Sequence, residues 1–262
     1  MFGPQSRRKF LNHSLLLASS GTLLPRISYA DLAPGVETRV LPNVSEQELS
    51  SQVDFWELEV LLKPLRMIYV NMPDPGNPGK TQKRLVWYQC YRALNRPIVR
   101  PMTKESTPLA GKDPLERPPV FVPEFTLVTD DNNSQNRYID RVMPLAQAAI
   151  NARELRGGSK VRYKNSVEIV GPLPPPVPEK TRPKDEDYLW GVATWRSVDP
   201  TTDKFRIFMT GFSSGYREIT TPDGKTAVQR KTIVQEFWRP SDEFDQEEKE
   251  IRPVGPPKWI YR

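Results

Sequence analysis

The sequence predicts a mainly β protein, an antiparallel β-sandwich of about eight strands with one inserted helix. Three observations carry that prediction. Short runs rich in Val, Ile, Phe, Tyr and Trp recur along residues 54–262, each near strand length. Clusters of Pro, Gly, Asn and Asp separate them, and the 28 prolines concentrate in those gaps. Only one stretch spaces its apolar residues as a helix does.

Taken in order, residues 31–53 show no periodicity and read as a flexible N-terminal arm, with the sandwich over 54–262. Strands are expected over 55–62 and 65–70, broken by Lys63-Pro64, and over 84–94, where RLVWYQCYRAL is rich in aromatics. Further strands are expected over 120–129, 166–170, 188–198, 205–212 and 226–238. Residues 140–155 form the inserted helix, with Val142, Leu145, Ala149 and Ala152 near helical spacing. Asp140 is placed to cap it, Pro144 fits its first turn, and Gly157-Gly158 stop it. The Pro-rich tract 171–187 is an extended, stiff connector. Residues 216–220 and 226–238 flank Thr221-Pro222-Asp223-Gly224, the clearest hairpin in the chain. Residues 241–250 hold six carboxylates and read as solvated, and 258–262 as a last strand or an edge cover.

Residues 1–30 are set apart by their order of features. Ser6-Arg7-Arg8-Lys9-Phe10-Leu11 gives a cationic start, residues 14–24 a short apolar run, and Ser28-Tyr29-Ala30 small residues at a cleavage position. This looks like a twin-arginine signal, with Arg7, Arg8, Phe10 and Leu11 as its determinants and cleavage between Ala30 and Asp31. The twin-arginine translocase and signal peptidase are the partners it implies. The run is far shorter than the ~20 residues that cross a bilayer, so no transmembrane anchor is expected. The compartment expected is periplasmic or extracellular.

Removing that segment changes the chemistry available. It carries four basic residues and no acidic ones, so the net charge falls from +6 to 34 − 32 = +2. A body so near neutrality has no general electrostatic pull on nucleic acid. The only histidine, His13, leaves with it. Ser-His-Asp and Cys-His nucleophile systems are then excluded, as are His-ligated zinc, haem and copper. Cys90 is the lone cysteine and forms no internal disulfide. No cofactor and no metal is expected; carboxylate pairs, a Ser-Lys dyad or oxygen-ligated cations are what remain.

Several motifs invite a function and are read more simply. Gly79-Lys80-Thr81 imitates the end of a phosphate loop, but Asp74 stands where its first glycine belongs and a strand follows it. Asp130-Asp131-Asn132-Asn133-Ser134 gathers oxygens without the spacing of a calcium loop. Glu57, Glu59, Glu124 and Glu168 lie in predicted strands, and no spacing singles out two of them as a hydrolase pair. Of six tryptophans, Trp87 and Trp195 read as core, whereas Trp56, Trp238 and Trp259 are the candidates for a ligand face that stacks on sugar rings.

The block from Lys83 to Asn95 resembles an early strand of immunoglobulin-like domains in exported bacterial proteins. Leu189-Trp190-Gly191-Val192-Ala193-Thr194-Trp195, followed by Asp199-Pro200 and Phe205-Arg206-Ile207-Phe208-Met209-Thr210-Gly211-Phe212, resembles the late paired strands of such domains. With Pro64-Leu65-Arg66-Met67-Ile68, these blocks are similar to an uncharacterised family of twin-arginine-exported bacterial proteins, over most of residues 55–240. The resemblance implies an immunoglobulin-like sandwich and brings no activity or site. The function expected is that of a non-catalytic binding or structural module of the cell envelope, with an envelope polysaccharide or protein as partner. The alternatives are a carbohydrate-binding module using surface tryptophans, or a histidine-free glycoside hydrolase using a carboxylate pair.

Overall fold

The computed structural model describes residues 37–52, 54–98, 118–131, 135–155, 160–240 and 250–262. In chain order these hold β1 (Thr38–Val40), α1 (Glu46–Ser51), β2 (Leu58–Leu62), β3 (Arg66–Pro73), β4 (Thr81–Asn95), β5 (Val120–Phe121), β6 (Glu124–Thr129) and β7 (Arg137–Ile139). Then come α2 (Pro144–Glu154), β8 (Gly171–Pro172), β9 (Tyr188–Arg196), β10 (Lys204–Thr210), β11 (Tyr216–Thr220), β12 (Thr226–Trp238), β13 (Arg252–Pro253) and β14 (Lys258–Tyr261). The chain is mainly β, and its strand pairs are antiparallel. One large sheet runs β1-β2-β4-β3 with β9 on β4, a second runs β11-β12-β10-β6-β7 with β13 and β14 on β12, and β5 pairs with β8 in a small third one.

Among the described residues fourteen strands stand where about eight are expected, because short pieces of two to five residues (β1, β5, β7, β8, β11, β13 and β14) add to the longer ones; both long antiparallel runs are also interrupted. In the first sheet Leu62 faces Tyr91 and Arg66 faces Tyr88, so Lys63-Pro64-Leu65 bulge opposite Gln89 and Cys90. The Gln89 side-chain amide donates to the Lys63 carbonyl and the Lys63 N–H donates to the Cys90 carbonyl, which satisfies the backbone around a proline that has no donor. In the second sheet Thr210 faces Thr232 and Tyr216 faces Arg230, so Gly211-Phe212-Ser213-Ser214-Gly215 swell out opposite Lys231. Gly211 makes this turn at φ 88°, where an added Cβ would lie 2.0 Å from the Val122 carbonyl oxygen. Phe212 drops into the core, and its carbonyl accepts the Leu58 N–H at 2.9 Å, joining the sheets.

The core between the sheets is aromatic. Trp87 meets Phe205 edge-on at 5.2 Å, and Tyr91 meets Phe125 at 5.0 Å and Phe212 at 5.3 Å. Tyr91 lies across Gly191, where an added Cβ would fall 2.1 Å from the ring, so only glycine fits the β9 position facing it. The other face of the same sheet is covered by α2: Ala146 and Ile150 pack on Val86, Tyr88, Cys90 and Val192. Burial on both faces is why β4 reads as an almost continuous apolar run. The C-terminal turn of α2 is fixed by Glu154, which accepts from Lys63 at 3.0 Å and from Arg66 and Tyr88 at 2.8 Å.

Three local expectations are corrected. Residues 166–170 form a turn, because the Asn165 side chain accepts the Val167 and Glu168 N–H groups and removes them from any ladder. Asp140 does not cap α2; Met143 occupies that position and Pro144 begins the helix. The Asp140 carboxylate instead accepts the Thr194 N–H at 2.6 Å and the Ser166 hydroxyl, while the Arg141 N–H donates to the Thr194 carbonyl at 2.9 Å. This crossing closes the β7–β9 side of the molecule. Within residues 31–53, β1 pairs with β2 and α1 is closed by a Ser45–Glu48 capping box. Gly157-Gly158 and most of 241–250 lie outside the described residues. The strand orders do not establish an immunoglobulin-like connectivity.

Candidate functional site

Opposite the closed side, among the described residues β1 pairs only with β2 and β14 only with β12, which leaves each one edge unpaired by them. Between those edges lies an open cleft of about 740 Å³, formed by residues 37–43 on one side and 253–259 on the other. Glu37, Arg39, Asn43 and Lys258 give it polar groups, Pro256 and Pro257 a rigid wall, and Trp259 an aromatic surface. The Trp259 indole N–H donates to the Leu41 carbonyl at 3.0 Å and thereby ties the two walls together.

Beneath the cleft is a buried ammonium. Lys231 is 3% exposed, and its Nζ lies 2.7 Å from Glu48 Oε1, 2.9 Å from Glu57 Oε2 and 2.5 Å from the Asn43 carbonyl. The rings of Phe55 and Trp259 stand 5.5 and 5.7 Å from it. Glu48 also accepts the Ser45 N–H and the Tyr261 hydroxyl, so its capping box shares a carboxylate with the lysine. The two carboxylates titrate in opposite directions. Burial pushes Glu57 up, and neither Lys231 nor the Asn43 N–H offsets it. Burial also acts on Glu48, but the hydrogen bonds from Lys231, Tyr261 and Ser45 outweigh it and bring the group down to about 2.

The other acids singled out in the sequence are likewise engaged. Glu59 bridges Arg39 at 2.6 Å and Arg96 at 3.0 Å, Glu124 meets Arg230 at 3.2 Å, and Glu168 meets Arg162 at 3.4 Å. Each of the four therefore meets a cation, Glu57 sharing Lys231 with Glu48. Asp130 pairs with Arg206 and Asp131 accepts the Lys204 N–H at 2.8 Å, while residues 132–134 lie outside the described residues. Among the described residues no group of three or more His, Cys, Asp or Glu is placed to hold a metal. Asp74 to Lys80 is the turn joining β3 to β4. Burial raises the Cys90 thiol well above its ordinary value.

The structure does not bring the three candidate tryptophans together. Trp259 stands opposite Ile233 and packs on the core together with Trp56. Trp238 follows the core residue Phe237 and so points from the opposite face of its sheet, 40% exposed. Trp87 and Trp195 are buried in the core as the sequence predicts. Arg7, Arg8, Phe10, Leu11, Ala30 and Asp31 lie outside the described residues. The Ser45-x-x-Glu48 signature was visible in the sequence as a helix start, but the partnership of Glu48 with Lys231 has no local signal. No helix among the described residues is long and apolar enough to cross a membrane. No family model, curated protein or solved structure matches the chain.

Proposed function

We propose that this chain is an exported, non-catalytic binding module of the cell envelope, and that it holds an envelope polysaccharide in the cleft between β1 and residues 253–259. The observation that carries the reading is Trp259 standing there among Arg39, Asn43 and Lys258, an aromatic surface beside hydrogen-bonding groups. The hydrolase alternative gains no support, because Glu57 and Glu59, the two most fully buried carboxylate residues, are committed to cations. Export rests on the order of Arg7-Arg8, apolar run and Ala30 in the sequence. The family resemblance is likewise part of the proposal.

Screening the purified protein against envelope polysaccharides tests the reading. At least one should bind, Lys258→Ala and Trp259→Ala should weaken it roughly tenfold, about what one good polar or stacking contact contributes, and Trp238→Ala should leave it unchanged. A melting curve for each variant separates lost binding from lost folding. If no polysaccharide binds, or if only Trp238→Ala matters, the cleft is not the site.

A further inference from the structure

The outer face of the β7-β6-β10-β12 sheet carries more guanidinium than its acids engage. Arg137, Val128 and Arg206 stand in register across β7, β6 and β10, which puts the two arginines on one face, two strands or about 10 Å apart. Phe208 lies two residues along β10 on the same face. The guanidinium carbon of Arg262 sits 3.8 Å from the centre of its ring, and that of Arg206 lies 5.9 Å from it. Two cations thus flank one aromatic ring, and Arg137 stands on the same face two strands from Arg206. Burial, and after it the charges of Arg137 and Arg206, pull the Arg262 guanidinium below its ordinary value, so the three feel one another.

Their neutralisation is incomplete. Arg206 meets Asp130 at 3.5 Å, yet its Nε is buried with no hydrogen-bond partner among the described residues. Arg137 and Arg262 make no ion pair among the described residues. Glu124 is engaged by Arg230 at 3.2 Å, and Glu236, which faces Arg206 from β12, pairs with no cation among the described residues.

We propose that this face binds a phosphate group, carried as a phosphomonoester on a soluble ligand, with Arg137, Arg206 and Arg262 as its donors. A phosphomonoester has about −1.5 to −2 charge at pH 7 and three oxygens that accept paired guanidinium bonds, which suits two arginines without an ion pair among the described residues beside a partly paired one. A carboxylate has a single charge and two oxygens, and one guanidinium fork satisfies it. An anionic bilayer is the poorer match, because Asp130, Glu124 and Glu236 flank the arginines and would be pressed against it. None of the three arginines lines the cleft, so this site stands independently of the polysaccharide reading.

Calorimetric titration of the full chain with phenyl phosphate at low ionic strength is the test, with sodium acetate at matched ionic strength as the comparison anion. One phenyl phosphate should bind per chain, weakened roughly tenfold by Arg137→Gln and further by Arg137→Gln/Arg206→Gln, the loss expected of a charge-assisted contact. Lys258→Ala, in the cleft, should leave that affinity unchanged. Arg137→Gln removes no ion pair seen among the described residues, so its melting curve should match the native one and exclude misfolding as the cause. Equal binding of acetate, or full affinity in the double variant, would overturn the site. Pelleting of the protein with phosphatidylglycerol–phosphatidylcholine vesicles would overturn the soluble ligand.

Discussion

Replacing Lys231 with Met leaves Glu57 buried, fully enclosed and without its cation. The change deletes contacts of 2.7 and 2.9 Å to two carboxylates and one to the Asn43 carbonyl, while Met fills much of the same volume. Removing one partner of a buried ion pair costs about 3–5 kcal/mol, because the other charge keeps its desolvation penalty. Against a total stability of about 5–15 kcal/mol the variant should still fold. At about 2–4 °C per kcal/mol for a domain of this size, melting should fall by about 6–20 °C at pH 7. Glu57→Gln in the same chain removes the orphaned charge and should recover most of the loss, giving a large coupling in a double-mutant cycle. Glu57 already has a raised pKa, so the variant's deficit should shrink as the pH falls and the carboxyl takes up a proton. A Lys231→Met protein within 1 kcal/mol of native at pH 7, or a double variant no better than the single one, refutes the reasoning.

Four other outcomes follow from the same structure. Gly191→Ala should destabilise by about 3 kcal/mol or more in denaturant titration, since the new methyl meets an enclosed Tyr91 ring. Tyr91→Phe should stabilise by about 1 kcal/mol in the same assay, because the buried hydroxyl has no partner among the described residues. Glu48, Glu59 and Glu154 all have folded pKa values below their ordinary one, so the stability they contribute is present above about pH 4.5 and is lost on further acidification, for Glu48 down to about 2. Melting curves from pH 6 to pH 2 should show that loss, and Glu154→Gln should flatten part of it; a flat profile contradicts it. If the proposed twin-arginine export holds, changing Arg7-Arg8 to Lys-Lys should stop or strongly slow appearance of the protein outside the cytoplasm, as fractionation would show, and normal export would refute the proposed route.

What the sequence reveals of this fold is what neighbouring residues decide. The Thr221–Gly224 turn is set by Pro222 and by Gly224, which sits at φ 78°, and both roles are local. Trp87 and Trp195 announce a core by alternation, and α2 by its spacing and Pro144. Residues 166–170 have strand composition but stand behind Asn165, whose side chain captures their N–H groups. Residues 37–51 have no periodicity because their order comes from distant partners: Glu48 and Asn43 on Lys231, Arg39 on Glu59, Glu37 on Arg92. The cleft has the same origin, since its walls come from the two ends of the described chain and only the folded sheets bring them together.

The proposal that the cleft holds a polysaccharide is tested most directly by watching the tryptophan indole N–H signals in a nuclear magnetic resonance titration with the polysaccharide that binds. Six indoles report on the whole body, and Trp238→Phe assigns the outward one. The signal of Trp259 should move in step with binding while that of Trp238 stays still. Movement of Trp238 with Trp259 unchanged would place the ligand on the other face and contradict the account.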